Sequence, residues 1–586
     1  MIQIMPARSG PAHVVTTTRT YKDKVYRTHL LRRSYREDGK VKNETLGNLS
    51  HLPEPLIDII RRSLQGETFV PLADAFEIAR SRAHGHVQAV SVAMQRLGLA
   101  WAVATQPCRE RDLVLAMVAS RILDPDTKLA TTRRWHTSTL AEDFGVAHAS
   151  EDDLYAAMDW LLARQDTIQA KLAARHLSAG GLVLYDLSSS YFEGSTCPLA
   201  RRGYSRDGKP GTLQVNYGLL TDARGCPVAV SVFEGNTADS KTFMPAVQRV
   251  REDFGLQQVV MVGDRGMVSQ KAIDELRESD GMGWITALKS VSIRALVEQG
   301  QLQLGLFDQR NLVELESPDY PGERLVACRN DALAKLRAHK REELVKATEA
   351  SLLEIKASVD AAKLSGQAKI GVRVGKIINK YKVAKHFELT ITDTSLAWAR
   401  RQDHIDAEAA LDGLYIIRTS VGAAQMDAPT CVRNYKSLAN VERAFRSLKT
   451  IDLKVRPIHH RLANRVRSHI FLCMLAYYVE WHMRQAWAPL LFADTEQADK
   501  ATRDPVAPAK RSKSAQDKAA SHTLHDGQSD GQPVHSLATL LAELATIVSN
   551  TCRAPHAAPD SPTFTVLTIA SPHHQRALAL INAIHL

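Results

Sequence analysis

The feature that most constrains the fold is a series of short apolar runs between residues 181 and 289, each bounded by turn residues. The runs read LVLYDLSSS, LQVNYGLLT, CPVAVSVFEG, QVVMVGDRG and GWITALKS. Such runs are typical of buried β-strands, and TDARGC between the second and third is a hairpin signal. Ser269 is a suitable N-cap for a helix over SQKAIDELRES. Together these elements predict a mixed α/β sheet.

Two of the runs carry an aspartate, Asp186 in LVLYDLSSS and Asp264 in QVVMVGDRG. We predict that each lies at the end of its strand, with the three serines after Asp186 marking where the strand leaves the core. If the strands are adjacent and parallel, both carboxylates emerge at one end of the sheet. The alternative is that each aspartate only caps a turn.

Neighbouring carboxylates repel each other unless a cation lies between them, and oxygen-rich acidic sites select Mg²⁺ or Mn²⁺. Two such ions about 3.5–4 Å apart are the usual machinery for in-line attack on a phosphodiester. The pattern therefore indicates a phosphodiester-cleaving site.

A third acid, Glu442, lies in a strongly basic segment. Between Arg433 and Arg467 there are ten lysines and arginines but only two acids, Glu442 and Asp452. A lone carboxylate among cations suits a metal ligand that is surrounded by phosphate contacts. The alternative is a surface pair between Glu442 and Arg446 at i,i+4 spacing.

Helical periodicity separates the faces of this segment. One predicted face is apolar and consists of Val441, Phe445 and Leu448. Residues seven apart are rotated by only about 20° on a helix, so they share a face. We therefore predict one polar face made of Tyr435, Glu442 and Lys449, with Arg446 beside them.

Composition narrows the class of protein. The net charge of +11 favours a polyanionic partner, although a merely basic enzyme would also fit. Seven scattered cysteines without a CxxC pair argue against a disulfide framework or a zinc ribbon and suit a reducing cytoplasm. The start has no secretory signal, and the longest apolar stretch is too short to span a membrane. We expect a soluble cytoplasmic protein with no membrane contact.

The N-terminal segment is basic and strand-like. From Arg19 to Lys42 there are nine lysines and arginines against three acids, with tyrosines between them. The alternation predicts a strand pair that turns at Asp38-Gly39. Basic residues interleaved with aromatics suit a nucleic-acid surface, and a solvated hairpin face is the alternative.

The chain divides into seven predicted regions. They are a basic β-rich start (1–50), a helical region (51–178), a first core part (179–289), an insertion with a long charged helix (290–412), a second core part (413–490), a disordered linker (491–535) and a C-terminal segment (536–586).

Four segments resemble a known family. They are LYDLSSSYFEG, QVNYGLLTDARGCPVAVSVFEGNTADSKTF, VVMVGDRGM and YKSLANVERAFRSLKT, followed by LKVRPIHHR. The chain resembles DDE transposases of bacterial insertion sequences, in the insertion-sequence-four superfamily and its group numbered sixteen-thirty-four. The resemblance covers residues 181–485, and YREDGKV with LGNL near the start is also similar.

The resemblance assigns roles to individual residues. The family signature is Tyr, two residues, Arg, three residues, Glu, six residues, Lys; Tyr435, Glu442 and Lys449 are in register, whereas Leu438 occupies the arginine position. The resemblance implies that Asp186, Asp264 and Glu442 are catalytic and bind metal, Mg²⁺ or Mn²⁺. It further implies DNA contacts by Tyr435, Arg443, Arg446 and Lys449.

The implied fold is a ribonuclease-H-like α/β core with an inserted domain, preceded by the basic β-rich start and a helical DNA-end-binding region. The implied function is binding of terminal inverted repeats, cleavage at the element ends and transfer of 3′ hydroxyls into target double-stranded DNA, by a homodimer. The alternatives are a ribonuclease-H-like nuclease without strand transfer and an inactive, transposase-derived DNA-binding protein.

Overall fold

The computed structural model describes residues 10–22, 24–69, 71, 75–496, 502–528 and 530–586. The chain forms two compact units: the first comprises Met1–Ser81 with Asn550–Leu567, and the second Arg82–Ser549 with Thr568–Leu586. None of the helices in these described ranges is long and apolar enough to cross a membrane.

The described strands are β1 (Ala12–Tyr21), β2 (Lys24–Glu37), β3 (Lys40–Asn48), β4 (Glu77–Ala83), β5 (Leu182–Tyr191), β6 (Arg201–Arg202), β7 (Leu213–Asp222), β8 (Pro227–Glu234), β9 (Val259–Val262), β10 (Met282–Ala287), β11 (Leu312–Leu315), β12 (Arg324–Arg329), β13 (Phe387–Ile391), β14 (Leu396–Arg400), β15 (Leu414–Thr419), β16 (Val548–Arg553) and β17 (Thr563–Leu567).

The described α-helices are α1 (Glu54–Leu64), α2 (Gly85–Arg96), α3 (Leu99–Val103), α4 (Arg109–Leu123), α5 (Lys128–Arg134), α6 (Leu140–Asp143), α7 (Glu151–Leu162), α8 (Gln165–His176), α9 (Phe243–Glu252), α10 (Gln270–Arg277), α11 (Ser290–Glu298), α12 (Asp331–Asp360), α13 (Gln367–Tyr381), α14 (Gln402–Ala409), α15 (Ala428–Lys436), α16 (Leu438–Arg446), α17 (Ala463–Ala486), α18 (Lys513–Ser521), α19 (Leu537–Leu544) and α20 (Pro572–Asn582).

The largest sheet has nine strands in the order β11-β12-β15-β10-β9-β5-β7-β6, with β8 also paired to β7. β9 is parallel to both β5 and β10, whereas β7 is antiparallel to β5 and β8. The predicted mixed α/β sheet and its hairpin through TDARGC are therefore confirmed. β7 is buried along almost its whole length, including its four polar residues Gln214, Asn216, Thr221 and Asp222.

The predicted end of the first acidic strand is wrong. β5 continues through Asp186 and the three serines to Tyr191, because β7 continues to pair with it as far as Gln214. The parallel pairing of β5 with β9 stops at Leu184. Asp186 therefore lies just beyond the parallel pairing and within a longer antiparallel one, and all three serines are buried.

The basic C-terminal part of the core is helical but not one continuous α-helix. A turn at Ser437 separates α15 from α16, and residues Ser447–Ile451 form a π-helix. The predicted apolar face of Val441, Phe445 and Leu448 is buried, which confirms it. The helix α17 is buried from Ser468 to Met483 and packs against α4, α7 and β8, as expected for a helix that is apolar on all sides.

The predicted insertion contains the expected long charged helix, α12, whose first turn is capped by the Asn330 side chain. Residues of α12, α13 and β14, among them Leu352, Ile370 and Leu396, form a separate apolar cluster. However, β11 and β12 extend the main sheet beyond β15, so these two strands of the predicted insertion (290–412) continue the core sheet and are not separate from it.

The linker prediction over 491–535 also requires correction, although residues 497–501 and 529 lie outside the described residues. The helix α18 forms here with Ser512 as its N-cap, and both Val506 and Leu524 are buried. The few apolar residues of this polar segment pack inward, and the Asn330 side chain donates a 2.6 Å hydrogen bond to the Val506 carbonyl. Low average hydrophobicity therefore did not prevent order.

The first unit contains the basic N-terminal sheet, an antiparallel arrangement in the order β1-β2-β3. β2 and β3 pair from Glu37 and Lys40 outward, and Asp38 and Gly39 between them have φ values of 52° and 75°. Two consecutive positive φ angles are what a tight two-residue hairpin requires. The predicted turn at Asp38-Gly39 is therefore confirmed.

Candidate active site

A cavity of about 390 Å³ opens in the second unit beside β5, β9 and α16. Its carboxylates are Asp186, Asp207, Asp239, Asp264 and Glu442. Its cations are Arg206, Arg446, Lys449 and Arg456. The structure thus brings the three predicted acids together with four cations in one concave site.

Asp186 is a partly buried acid of the cavity. Its Oδ1 atom accepts a 2.8 Å hydrogen bond from the backbone N–H of Leu187. Burial raises the pKa of Asp186 to about 7, and the charges of Asp264 and Glu442 act in the same direction. The strand β5 therefore holds a carboxylate that stays ionised at neutral pH only at an energetic cost.

Asp264 directly follows β9 and Gly263, and its side chain is exposed. A Cβ atom on Gly263 would lie 3.0 Å from the Val268 side chain, so a glycine lets the chain turn closely here. The Tyr435 hydroxyl donates a 3.4 Å hydrogen bond to Oδ1 of Asp264. Because β5 and β9 are parallel neighbours, Asp264 and Asp186 reach the same edge, as the sequence predicted.

Glu442 projects from the exposed face of α16, whose opposite face buries Val441, Ala444 and Phe445. That buried face packs against β5, the strand that carries Asp186. Phe445 also contacts the Tyr217 ring of β7 edge-on, with 5.7 Å between ring centroids. Burial of one helix face against the sheet thus directs the glutamate into the cavity.

The three acids fit a site for divalent cations. The negative charges of Asp264 and Glu442 raise the pKa of Asp186, and a bound cation would relieve this repulsion. Carboxylate oxygens are hard ligands, as such cations require. They are spaced more widely than a cage around one ion, because in the described part of the chain only His176, Cys226 and His482 bring three candidate ligand atoms within 4.8 Å of one another. A site for two ions about 3.5–4 Å apart does not require all three acids to bind the same ion.

Lys449 lines the cavity but does not project freely into it. Its Nζ atom lies 3.0 Å from Oδ1 of Asp207, and the Arg456 guanidinium pairs with the same oxygen. The Asp207 side chain is 1% exposed, and its Oδ2 accepts a 2.9 Å hydrogen bond from the Tyr191 backbone N–H. Burial lowers the pKa of Lys449, while Asp207 opposes that shift.

Arg206, like Arg456, is a cavity cation that was not predicted from the sequence. Its backbone N–H donates to the buried Ser189 hydroxyl, and its guanidinium donates a 2.5 Å hydrogen bond to Asp239. Its charge lowers the pKa of Asp186, against the larger effect of burial. Asp207, Arg206, Asp239 and Arg456 lie in no recognisable spacing motif, so only the fold reveals them.

The remaining predicted residues have different positions. Arg446 lines the cavity, whereas Tyr435 contacts Asp264 and is not among the lining residues. Arg443 also lies outside the lining, and its guanidinium donates a 3.5 Å hydrogen bond to Asn440. Leu438, at the signature arginine position, packs against the main apolar core. The predicted single face of Tyr435, Glu442 and Lys449 is therefore interrupted by the turn at Ser437 and the π-helix.

Two family descriptions match the chain. Residues 182–479, just over half of its length, match the family described as "Transposase DDE domain". The chain therefore belongs to the DDE transposases. Residues 14–69 match "IS1634 family transposase, N-terminal domain", which assigns the chain to the IS1634 group.

Comparisons beyond these families add little. No curated protein matches the sequence. A solved structure described as "Cryo-EM structure of piggyBac transposase synaptic complex with hairpin DNA" is similar over 79% of this chain and 76% of that one, with 8% identity and a TM-score of 0.34. A likeness this low carries no argument about function.

Proposed function

We propose that this DDE transposase cleaves DNA at the ends of its insertion sequence and joins the resulting 3′ hydroxyls to target DNA. The observation that carries the proposal is the cavity in which Asp186, Asp264 and Glu442 meet. These acids come from two neighbouring parallel strands and one helix that packs on the sheet. Such a convergence of carboxylates among cations suits metal-assisted phosphodiester chemistry.

The sheet supports a ribonuclease-H-like description of the core. The antiparallel hairpin β7-β8 extends a parallel β5-β9-β10 group, and helices pack on its strands. In this proposal residues 179–289 and 413–490 supply the core, and residues 290–412 supply the insertion together with two additional edge strands.

Asp186, Asp264 and Glu442 would hold Mg²⁺ or Mn²⁺. When bound, these ions supply nucleophile activation and neutralise charge on the scissile phosphate. Tyr435 would orient the Asp264 carboxylate through its hydroxyl. Arg446, at the cavity wall, would bind phosphate oxygens, and the pair formed by Lys449 and Asp207 would fix one side of the DNA path. Arg443, outside the cavity lining, would contact the flanking backbone.

Recognition of the element ends would fall to residues 1–178. The three-stranded sheet β1-β2-β3 carries the basic, tyrosine-rich sequence, and exposed Tyr21 and Tyr26 lie on it. Cations interleaved with aromatics suit contact with double-stranded DNA. Two ends must be joined in one complex, so we propose a homodimer that acts on the nucleoid in the bacterial cytoplasm.

The decisive experiment uses the full-length protein, Mg²⁺ and a labelled duplex that carries the DNA flanking the coding region. We expect cleavage at the element end and transfer of the labelled 3′ end into a plasmid. Asp264→Asn should abolish both reactions while DNA binding persists. The matched control is Asp280→Asn, because Asp280 is an exposed aspartate outside the cavity.

The other outcomes identify the alternatives. Cleavage without strand transfer would indicate a nuclease, and binding without cleavage would indicate an inactive DNA-binding descendant. Unchanged cleavage by Asp264→Asn would reject the assignment of the three acids.

A further inference from the structure

A second cluster of metal-binding side chains lies outside the acidic cavity. His176 is at the end of α8, Cys226 follows the β7–β8 turn, and His482 lies in α17. One candidate ligand atom from each lies within 4.8 Å of the other two. The Cys226 Sγ and His482 Nε2 atoms are 3.7 Å apart. Tetrahedral zinc with usual bond lengths places a sulfur and a nitrogen ligand about 3.6 Å apart.

The chemistry of the three side chains suits a borderline-soft cation. A thiolate with two imidazoles selects zinc over the magnesium that carboxylates prefer. Burial lowers the pKa of His176 and takes that of His482 to about 3, so both rings are neutral, as metal ligands must be. Burial raises the pKa of Cys226, so a metal would have to displace the thiol proton.

The surroundings resemble the outer shell of a metal centre. The Nε2 atom of His176 is 3.0 Å from the Tyr478 hydroxyl, so for this hydrogen bond to orient the ring the ion would bind through Nδ1. The rings of Tyr478 and Trp481 each lie 4.8 Å from the His482 ring and limit access of water. The nearby charges are Arg224, which is paired with Asp222, and Arg175; both arginines act on His176 and His482.

We propose that His176, Cys226 and His482 bind one Zn²⁺ ion, distinct from the divalent cations of the acidic cavity, with water at the fourth position. The ion would join three elements that are distant in sequence: the last turn of α8, the β7–β8 turn and the C-terminal end of α17. The competing explanation for the same contacts is a thiol–imidazole hydrogen bond within an aromatic cluster.

The proposed site has a structural route to the acidic cavity. The Asn440 side chain donates a 3.2 Å hydrogen bond to the Ala223 carbonyl in the β7–β8 turn. In the same turn Gly225 lies so close that a Cβ atom on it would be 2.7 Å from the Cβ of Asn440. Asn440 precedes Glu442 by two residues on α16. A bound ion would therefore fix the β7–β8 turn, against which α16 packs. Any effect of the ion on cleavage through Glu442 rests on the proposed function.

Binding is tested on full-length protein that has been stripped of metal and titrated with Co²⁺, whose thiolate complexes absorb in the near ultraviolet. We expect a thiolate-to-cobalt band that saturates at about one ion per chain and is displaced by Zn²⁺. Cys226→Ala should abolish the band. The matched control, Cys197→Ala, removes another buried cysteine outside the cluster and should retain it.

A second readout covers the case in which Cys226→Ala does not fold. His482→Gln should retain the thiol but weaken Co²⁺ binding by at least about tenfold, as loss of a ligand predicts. Zn²⁺ should raise the Tm of the wild type and of Cys197→Ala, but not that of His482→Gln.

The proposal is overturned if the wild type shows no thiolate band, or if Cys226→Ala or His482→Gln binds Co²⁺ as the wild type does. None of these measurements involves DNA. Asp264→Asn should keep the band, so failure of the zinc site and failure of the proposed cleavage reaction are distinguishable.

Discussion

At the scale of single residues, Asp207 illustrates what the sequence alone could not reveal. It lies 242 residues from Lys449 in the chain, yet it holds both Lys449 and Arg456 at the cavity wall. No spacing rule connects an aspartate in a loop with a π-helix and a later turn. By contrast, Asp186, Asp264 and Glu442 could be predicted because each stands next to a periodic apolar pattern that defines its element.

Asp207→Asn should destabilise the second unit, because it leaves two poorly exposed cations without their counter-charge. Removing one partner of a buried ion pair costs about 3–5 kcal/mol. We expect a lower midpoint of chemical or thermal unfolding, followed by circular dichroism. Asp280→Asn, which changes an exposed aspartate, should leave the midpoint unchanged. Equal midpoints for the two variants would contradict the importance of the buried pair.

Tyr435→Phe should slow cleavage without unfolding the protein, since it removes only the hydroxyl that donates to Asp264. Hydrogen bonds to charged groups contribute about 1.5–3 kcal/mol, and the 3.4 Å length places this one at the low end, or roughly tenfold in rate. Single-turnover cleavage with saturating DNA measures it. Tyr320→Phe, outside the cavity, should cleave at the wild-type rate; a similar loss there would refute a specific role for Tyr435.

At the scale of elements, the apolar runs predicted the strands of the central sheet but not their ends. β5 extends past Asp186 because β7 continues to pair with it. The sequence of one strand does not reveal how far its partner strand will pair with it. Likewise, a seven-residue spacing predicts one helix face only if the helix is regular. The turn at Ser437 and the π-helix at Ser447–Ile451 break that regularity and place Tyr435 and Lys449 in different surroundings.

Gly225→Ala tests how the β7–β8 turn supports α16. Gly225 has φ of 90°, and the added Cβ would meet Asn440 at 2.7 Å. Gly208 has φ of 67°, and a Cβ added there would meet no atom within 4 Å, so Gly208→Ala isolates the backbone cost, about 1–2 kcal/mol. We expect Gly225→Ala to lower Tm more than Gly208→Ala and also to reduce cleavage. Equal Tm values for Gly225→Ala and Gly208→Ala would show that α16 moves away from the added Cβ atom at no cost in stability.

At the scale of the whole molecule, the proposed function assigns DNA binding to the cations that give the net charge of +11 and cleavage to the carboxylate cavity. Long-range attraction to phosphate depends on the cations and weakens with salt. In the proposed function, cleavage depends on Asp186, Asp264 and Glu442, which the fold brings into one cavity. This division stays a prediction from the sequence, whereas the ordered part of 502–528 and the extra edge strands were not predicted, because they depend on contacts with distant residues.

Omitting Mg²⁺ and Mn²⁺ from the reaction should abolish cleavage but leave DNA binding nearly unchanged, because in the proposed function the metal acts only at the scissile phosphate, whereas cations of the protein bind the phosphates along the rest of the duplex. Fluorescence anisotropy measures binding, and denaturing gels measure cleavage of the same labelled duplex. Adding Mg²⁺ should restore cleavage of the wild type but not of Asp264→Asn. Cleavage that continues in metal-free buffer would contradict a metal-dependent site.

The order of the three carboxylates along the chain also determines when the cavity can form during synthesis. The strand with Asp186 can pair with that of Asp264 early, but Glu442 leaves the ribosome only after about three-quarters of the chain has been made. Lys449 and Arg456, the partners of Asp207, follow it. In the proposed function, a nascent or prematurely terminated chain would therefore carry its basic N-terminal DNA-binding sheet before its cleavage site is complete, so truncated products would bind DNA without cutting it.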